Sequence, residues 1–322
     1  MPLEDIISPI HTDLQCVNSV IKKSLSSDIP IINQISNHII SGGGKRMRPI
    51  LHLLMSGMGG EINEVNHKIA AIIEFIHTAT LLHDDVVDQS ERRRNIKTAN
   101  AIFGNSASVL VGDFIYSRSF QMMVGVNNIQ IMKVLSDTTN AISEGEVLQL
   151  LNIHNPDINE NQYFKVIQFK TAKLFEACGS LAGIANTNSP EMINAYSKLG
   201  LHFGIIFQLI DDILDYSGNS NQIGKNIGDD LNDGKVTLPL IYAMKDSTKQ
   251  QCKIIKEAIK IGDISRLPDI IEIVEETKSI SKVQIKSEEQ FENIKKILDK
   301  MPNNDFNKII LDLAKYSVYR QN

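Results

Sequence analysis

The chain reads as all-α, and three observations carry that reading. Only 19 Gly and 9 Pro punctuate 322 residues. Period-two alternation of apolar and polar residues, which a half-buried strand needs, is nearly absent. Apolar residues instead recur at three- and four-residue spacing through most of the length, the signature of helices with one face indoors. With 42% hydrophobic residues over this length, the chain can bury a large core within one helical domain.

Taken in order, the periodic segments predict helices at roughly 5–25, 28–41, 47–58, 63–88, 99–125, 129–151, 160–186, 190–216, 236–246, 249–261, 266–277, 281–300 and 304–319. Pro49, Pro190 and Pro239 fall near first turns, where a missing N–H costs nothing, while Gly59-Gly60 and Gly218 mark stops. The segments at 63–88 and 190–216 contain the long apolar runs Ile69–Leu82 and Leu199–Ile210. Between Ser217 and Lys235 the chain is rich in Gly, Asn and Asp and predicts the least helical stretch, a loop able to cover a site. From residue 246 onward Lys and Glu increase and no motif stands out, which predicts a helical support region. No fixed-period repeat is present.

Bulk composition excludes some classes of function. A formal net charge of −5 without a dense basic block argues against a nucleic-acid surface. Cys16, Cys178 and Cys252 are odd in number and lack a Cys-x-x-Cys pair, which fits structural thiols in a reducing, cytoplasmic compartment. Met1-Pro2-Leu3-Glu4-Asp5 is acidic where a secretory signal is basic, and no segment holds 18 uninterrupted apolar residues, so no membrane anchor is expected.

The chemistry is concentrated in two clusters of the form Asp-Asp-x-x-Asp. Asp84-Asp85-Val86-Val87-Asp88 and Asp211-Asp212-Ile213-Leu214-Asp215 each follow one of the long apolar runs. On a helix, residues four apart share a face about 6 Å apart along the axis, so Asp84/Asp88 and Asp211/Asp215 each form a two-carboxylate claw. Like charges so placed repel, and Asp near a helix C-terminus opposes the macrodipole. Oxygen-only ligands select hard divalent cations, Mg2+ above all, which are commonly shared with substrate phosphates. A single cluster is equally well read as a solvated helix end; two with the same spacing favour a diphosphate held through metal.

Cations accompany the acids. Gly42-Gly43-Gly44-Lys45-Arg46-Met47-Arg48-Pro49 puts three flexible residues and three cations at a helix entrance, where backbone N–H groups already favour anions, and predicts a second diphosphate site without metal. Arg92-Arg93-Arg94 follows the first cluster after only three residues, and guanidiniums suit bidentate phosphate contacts. Lys170, Thr171 and Gln208 lie on apolar helical faces, where polar groups need partners. Lys225 and Lys235 follow the second cluster and can offset diphosphate charge. His77 is better placed for a diphosphate contact than His83, which reads as a core residue.

These residues resemble the long-chain trans-prenyl diphosphate synthases, the octaprenyl type above all, over nearly the whole chain. The resemblance rests on Gly43-Gly44-Lys45-Arg46-x-Arg48-Pro49, on Glu74 through Asp88, on Gly112-Asp113-Phe114 and on Gly145-Glu146-Val147-Leu148-Gln149-Leu150. It continues through Lys170-Thr171-Ala172, Phe207 through Tyr216 and Gly224 through Asp230. It departs at Asn95, where relatives carry Gly, and it leaves Arg320 as the sole counterpart of a basic C-terminal end. The resemblance implies a single domain, 1–322, built as one bundle of antiparallel helices around a central cavity and paired as a homodimer. It implies Mg2+ on Asp84, Asp88, Asp211, Asp212 and Asp215. Arg93, Lys170, Thr171, Gln208, Lys225 and Lys235 would meet the allylic diphosphate, and Lys45, Arg48, His77 and Arg94 would meet isopentenyl diphosphate. The implied reaction extends farnesyl diphosphate by successive trans condensations to an octaprenyl chain for quinones. Ile76, Ala79 and Thr80, one or two turns before the first cluster, carry no ring, which implies an open groove and a long product; Met122 and Met123 are candidate floor residues. Two rivals remain at this point. A class I terpene cyclase would not need the second diphosphate site, and a silent partner subunit would be expected to have lost a claw.

Overall fold

A computed structural model describes residues 2–93, 96–187, 189–217 and 227–320. The described chain is helical almost throughout, and it divides into two compact units. The first comprises Met1–Thr139, Leu174–Gly200 and Ile297–Leu313; the second comprises Asn140–Lys173, Leu201–Lys296 and Ala314–Asn322.

In the first unit the helices are α1 (Leu3–Ile7), α2 (His11–Ser24), α3 (Pro30–Ser41), α4 (Met47–Gly57), α5 (Glu64–Val87), α6 (Ala99–Phe103) and α7 (Asn105–Val126). Helix α5 is central. Its start is fixed by a capping box, in which Asn63 Oδ1 accepts from Val65 N at 2.9 Å and Asn66 Oδ1 accepts from Asn63 N at 3.0 Å. Ile69 through Ile73 are all fully buried, so this stretch meets protein on every side. It packs on α7, α4 and α2.

Two predicted helices are broken in this unit, each for a local reason. Pro9 tightens Ser8–Ile10 into a 3-10 turn between α1 and α2. Gly104 separates α6 from α7 with φ +85°, a backbone setting in which a side chain is strained. A two-residue antiparallel pair, β1 (Arg92–Arg93) with β2 (Ile96–Lys97), lies between α5 and α6. It is too short to leave a periodicity in the sequence.

Helix α8 (Ile129–Asn152) runs from the first unit into the second, and α10 (Lys173–Asn186) and α11 (Pro190–Ser217) also contribute to both. The second unit also holds α9 (Glu160–Ile167), α12 (Asp229–Asn232), α13 (Leu238–Asp246), α14 (Lys249–Ile261), α15 (Leu267–Glu276) and α16 (Ser279–Leu298). Helix α17 (Asp305–Tyr319) begins in the first unit and ends in the second. The predicted 160–186 helix carries a π-turn at Gln168–Ala172. Leu231, Leu240, Ile255, Ile259, Ile270 and Ile273 form an apolar core in the second unit, so the support region after residue 246 packs around a buried centre that it shares with Leu231 and Leu240. Helix α12 falls inside the stretch predicted to be least helical, because Gly228, at φ +82°, turns the chain and buried Leu231 draws it inward. Among the described residues no helix is long and apolar enough to cross a membrane.

The first unit's core includes one titratable group that has been kept neutral. His52 on α4 is wholly buried, and its Nδ1 donates to the Cys178 carbonyl at 3.0 Å. Burial is the largest cause lowering its pKa from 6.5 to about 4; the Cys178 bond opposes the shift and the His67 charge adds to it. Because the folded value lies below the unfolded one, the unfolded chain binds more protons between them. The stabilisation is therefore complete above pH 6.5 and is lost as the pH falls towards 4, to the extent of about 3 kcal/mol. Urea unfolding followed from neutral pH down to about pH 4 is expected to show this loss, and His52→Leu is expected to flatten it.

Candidate functional site

In the first unit, the last turn of α5 carries Asp84 and Asp85, and Asp88 is its C-cap, with its N–H donating to the Asp84 carbonyl at 2.8 Å. Asp84 and Asp88 are half-buried on one face, as the four-residue spacing requires. Asp85, about 100° round the axis, points indoors and is 3% exposed. Arg93 satisfies it: Nε and Nη2 donate to Asp85 Oδ1 at 2.9 and 2.8 Å. Asn100 Nδ2 donates to the carbonyls of Asp85 and Ser90, each at 3.1 Å. The middle carboxylate therefore ties the β1–β2 pair to the end of α5.

The basic turn before α4 is shaped by two left-handed residues, Gly43 at φ +67° and Arg46 at φ +49°. Arg46 is the N-cap of α4, and a left-handed non-glycine there costs about 1–2 kcal/mol. The turn sets Lys45 and Arg48 at the helix entrance, both half-buried. Arg48 Nη1 lies 3.1 Å from His77 Nε2; guanidinium has no acceptor, so His77 Nε2 accepts. The Arg48 guanidinium also rests 4.4 Å from the ring centroid of buried Phe175, a cation–π contact that holds it in place. Arg48 and His77, which the motifs assign to one ligand, are thus in contact. Beside His77 on α5, Ile76 and Ala79 are fully buried, and Thr80 Oγ1 donates to the His77 carbonyl at 2.8 Å.

The second unit repeats the acidic pattern on α11. Asp212 is 1% exposed and each of its oxygens has a donor: Tyr163 OH reaches Oδ2 at 2.5 Å and Gln208 Nε2 reaches Oδ1 at 2.8 Å. Gln208 Oε1 in turn accepts from Thr171 Oγ1 at 2.8 Å. Burial, and next the charge of Asp230, push the Asp212 carboxyl up to about 8. Burial and then the Asp212 charge push the Tyr163 hydroxyl well above its ordinary value. Asp211 is paired with Arg320, whose Nη2 also donates to the Phe207 carbonyl at 3.0 Å and whose guanidinium sits 4.1 Å from the Phe207 ring centroid. The Asp215 carbonyl accepts from Gly228 N at 3.0 Å, and its Oδ2 accepts from Asp230 N at 3.3 Å.

Lys170 stands in the π-turn, where its Nζ donates to Glu146 Oε2 at 2.5 Å and to Gln149 Oε1 at 2.7 Å. Lys235 pairs with Asp233 at 2.9 Å. Arg94 and Lys225 lie outside the described residues. Among the described residues no three acidic, His or Cys side chains are gathered as a ready metal cage. The donor set is nonetheless the one Mg2+ takes, carboxylate oxygens in ones and twos completed by substrate phosphate and water.

Motif spacing misses Asp85, Tyr163, Phe175, Glu146 and Gln149 as supporting groups. Glu146 and Gln149 lie three apart inside a quoted motif, which is a signal of sorts. Tyr163 and Phe175 leave none, because their partners lie 49 and 127 positions away along the chain.

A fold so nearly all helical, with an acidic cluster near the end of each of two long apolar helices, defines the class of the isoprenoid synthases. The chain belongs to the polyprenyl synthetase family, whose model matches residues 29–277. It is 45% identical to the octaprenyl diphosphate synthase of Escherichia coli (strain K12) over 99% of both chains. It is 40% identical to an all-trans-nonaprenyl-diphosphate synthase (geranyl-diphosphate specific) of Rhodobacter capsulatus over 98% of both. The polyprenyl synthase of Caulobacter crescentus CB15, crystallised with calcium and isoprenyl diphosphate, superposes with a TM-score of 0.95 at 35% identity, covering 100% of this chain and 98% of that one.

The geometry around Lys170 depends on a glycine. A Cβ added to Gly145 on α8 would lie 2.6 Å from Lys170 N, against backbone that has little room to yield. Gly145→Ala is expected to destabilise the fold by about 1–3 kcal/mol through overpacking, read as a lowered midpoint in urea unfolding.

Proposed function

We propose that this protein is a Mg2+-dependent trans-prenyltransferase that extends farnesyl diphosphate with isopentenyl diphosphate to octaprenyl diphosphate, for quinone side chains. The observation that carries this reading is that both acidic clusters are intact in a chain 45% identical, end to end, to a named octaprenyl diphosphate synthase. The chain as a whole, 1–322, is the catalytic domain. It works in the cytoplasm, which suits three unbridged thiols among the described residues.

Asp84, Asp88, Asp211, Asp212 and Asp215 are the carboxylates assigned to metal; of these, Asp212 has both oxygens already engaged by neighbours. Bound Mg2+ supplies charge that stabilises the departing diphosphate. Arg93, Lys170, Thr171, Gln208, Lys225 and Lys235 bind and orient the allylic diphosphate, with Glu146 and Gln149 holding the Lys170 ammonium ready. Lys45, Arg48, His77 and Arg94 hold isopentenyl diphosphate, the Arg48 guanidinium braced by Phe175. Apolar helical walls exclude water while the allylic C–O bond ionises. The isopentenyl double bond then attacks the cation, and the released diphosphate takes the proton.

Product length follows from Ile76, Ala79 and Thr80, where Ala79 leaves the most room. The homodimer is favoured by apolar side chains left in solvent: Leu110 and Val124 on α7 are 67% and 61% exposed, and Leu151 on α8 is 73% exposed.

Purified protein incubated with farnesyl diphosphate, labelled isopentenyl diphosphate and Mg2+ is expected to give a dominant eight-unit prenol after dephosphorylation, lost with EDTA; no incorporation overturns the reading. Asp84→Ala is expected to lower turnover at least ~100-fold, as loss of one preorganised electrostatic group does elsewhere. Ala79→Tyr is expected to shorten the product, and an unchanged product spectrum in a folded variant would remove Ala79 from the groove.

A further inference from the structure

We propose that Tyr163 is a positioning residue for the allylic substrate, acting through Asp212 to hold Gln208 and Thr171 in register. The proposal rests on the function proposed above and deepens it. Its basis is an unbroken chain of hydrogen bonds, Thr171 Oγ1 to Gln208 Oε1, Gln208 Nε2 to Asp212 Oδ1 and Tyr163 OH to Asp212 Oδ2, at 2.8, 2.8 and 2.5 Å.

The direction of the chain follows from its members. Tyr163 OH donates to one oxygen of Asp212 and Gln208 Nε2 to the other, so Asp212 presents an acceptor to both neighbours. This fixes which way the Gln208 amide faces: its N–H must point at Asp212 and its oxygen at Thr171. Without that anchor the Gln208 amide is free to turn over, and the Thr171 hydroxyl with it. Asp212 keeps its side chain in one place only while both oxygens have donors, since a buried carboxylate oxygen without a partner costs more than a hydrogen bond returns. Tyr163 is the donor whose removal least disturbs packing.

Tyr163 is suited to this work because little else about it can move. It sits in the first turn of α9, whose start is clamped by reciprocal Asn159 and Gln162 bonds, each 3.0 Å. Its ring is 4% exposed and meets Phe164 edge to face at 5.4 Å between centroids. Helix α9 continues through the π-turn into Thr171, so the same rod presents both ends of the chain to α11.

The test is Tyr163→Phe, which keeps the ring and removes the hydroxyl, assayed with farnesyl and isopentenyl diphosphates varied separately under Mg2+. A KM for farnesyl diphosphate raised about tenfold, with the KM for isopentenyl diphosphate within about twofold, supports the proposal, the size being that of one charge-assisted hydrogen bond. A lower melting temperature with both KM values and kcat unchanged overturns it and makes the contact purely structural. An equal rise in both KM values overturns it as well. Should Tyr163→Phe fail to fold, Tyr163→Met is the second variant; it fills much of the ring's space without a hydroxyl and leaves every carboxylate assigned to metal in place. The same split between the two KM values is expected there, and its absence overturns the proposal. A wild-type protein without prenyl transfer defeats the parent reading instead, so the two failures are told apart.

Discussion

The constraint on which the rest depends is the burial of a carboxylate in the middle of each acidic cluster. Four-residue spacing turns the first and last Asp of each cluster to one face, and helical geometry then sends the second Asp about 100° away, into the protein. Asp85 and Asp212 are accordingly the most buried members of their clusters, at 3% and 1% exposure. A charge placed there must be met by donors or be neutralised. The first unit meets it with Arg93 from the β1–β2 pair, and the second with Tyr163 and Gln208 from two helices. The second residue of each motif thereby anchors whatever surrounds the other two.

Much of the remaining architecture serves to make such buried charges tolerable. Arg48 has Phe175 beneath it and His77 beside it, and Lys170 is spanned by Glu146 and Gln149. Each of these cations is held by partners before any substrate arrives, so less ordering entropy is lost when a phosphate binds. The left-handed Arg46 at the head of α4 shows the local cost of this order, since that backbone persists only where the surroundings impose it.

Sequence periodicity revealed the helices because burial on a helix repeats every three to four residues and 322 residues give it many chances to show. It also revealed the two clusters and the basic turn, whose members are neighbours in sequence. It joined α6 to α7 because a single Gly104 does not interrupt an apolar stripe, and it passed over the π-turn because no Gly or Pro marks Gln168–Ala172. The supporting groups were invisible for a different reason. Asp85 looks like its neighbours until the rotation of the helix is considered, and the contacts of Tyr163 and Phe175 are made across long sequence separations that no spacing rule encodes.

The π-turn at Gln168–Ala172 gives the rod from α9 to α10 two rotational frames. A π-turn advances the chain by one residue more than an α-turn for the same closure, so side chains beyond it are offset by roughly one helical position from those before it. Tyr163 belongs to the first frame, and Lys170 and Thr171 to the turn itself. Deletion of Gln168 or Phe169 would leave every motif letter intact and the residues before and after the turn out of phase. Swapping this segment between relatives would therefore demand matching the count of residues in the turn as well as their identity, and alignments that slide a gap through it would misassign the facing of everything on one side.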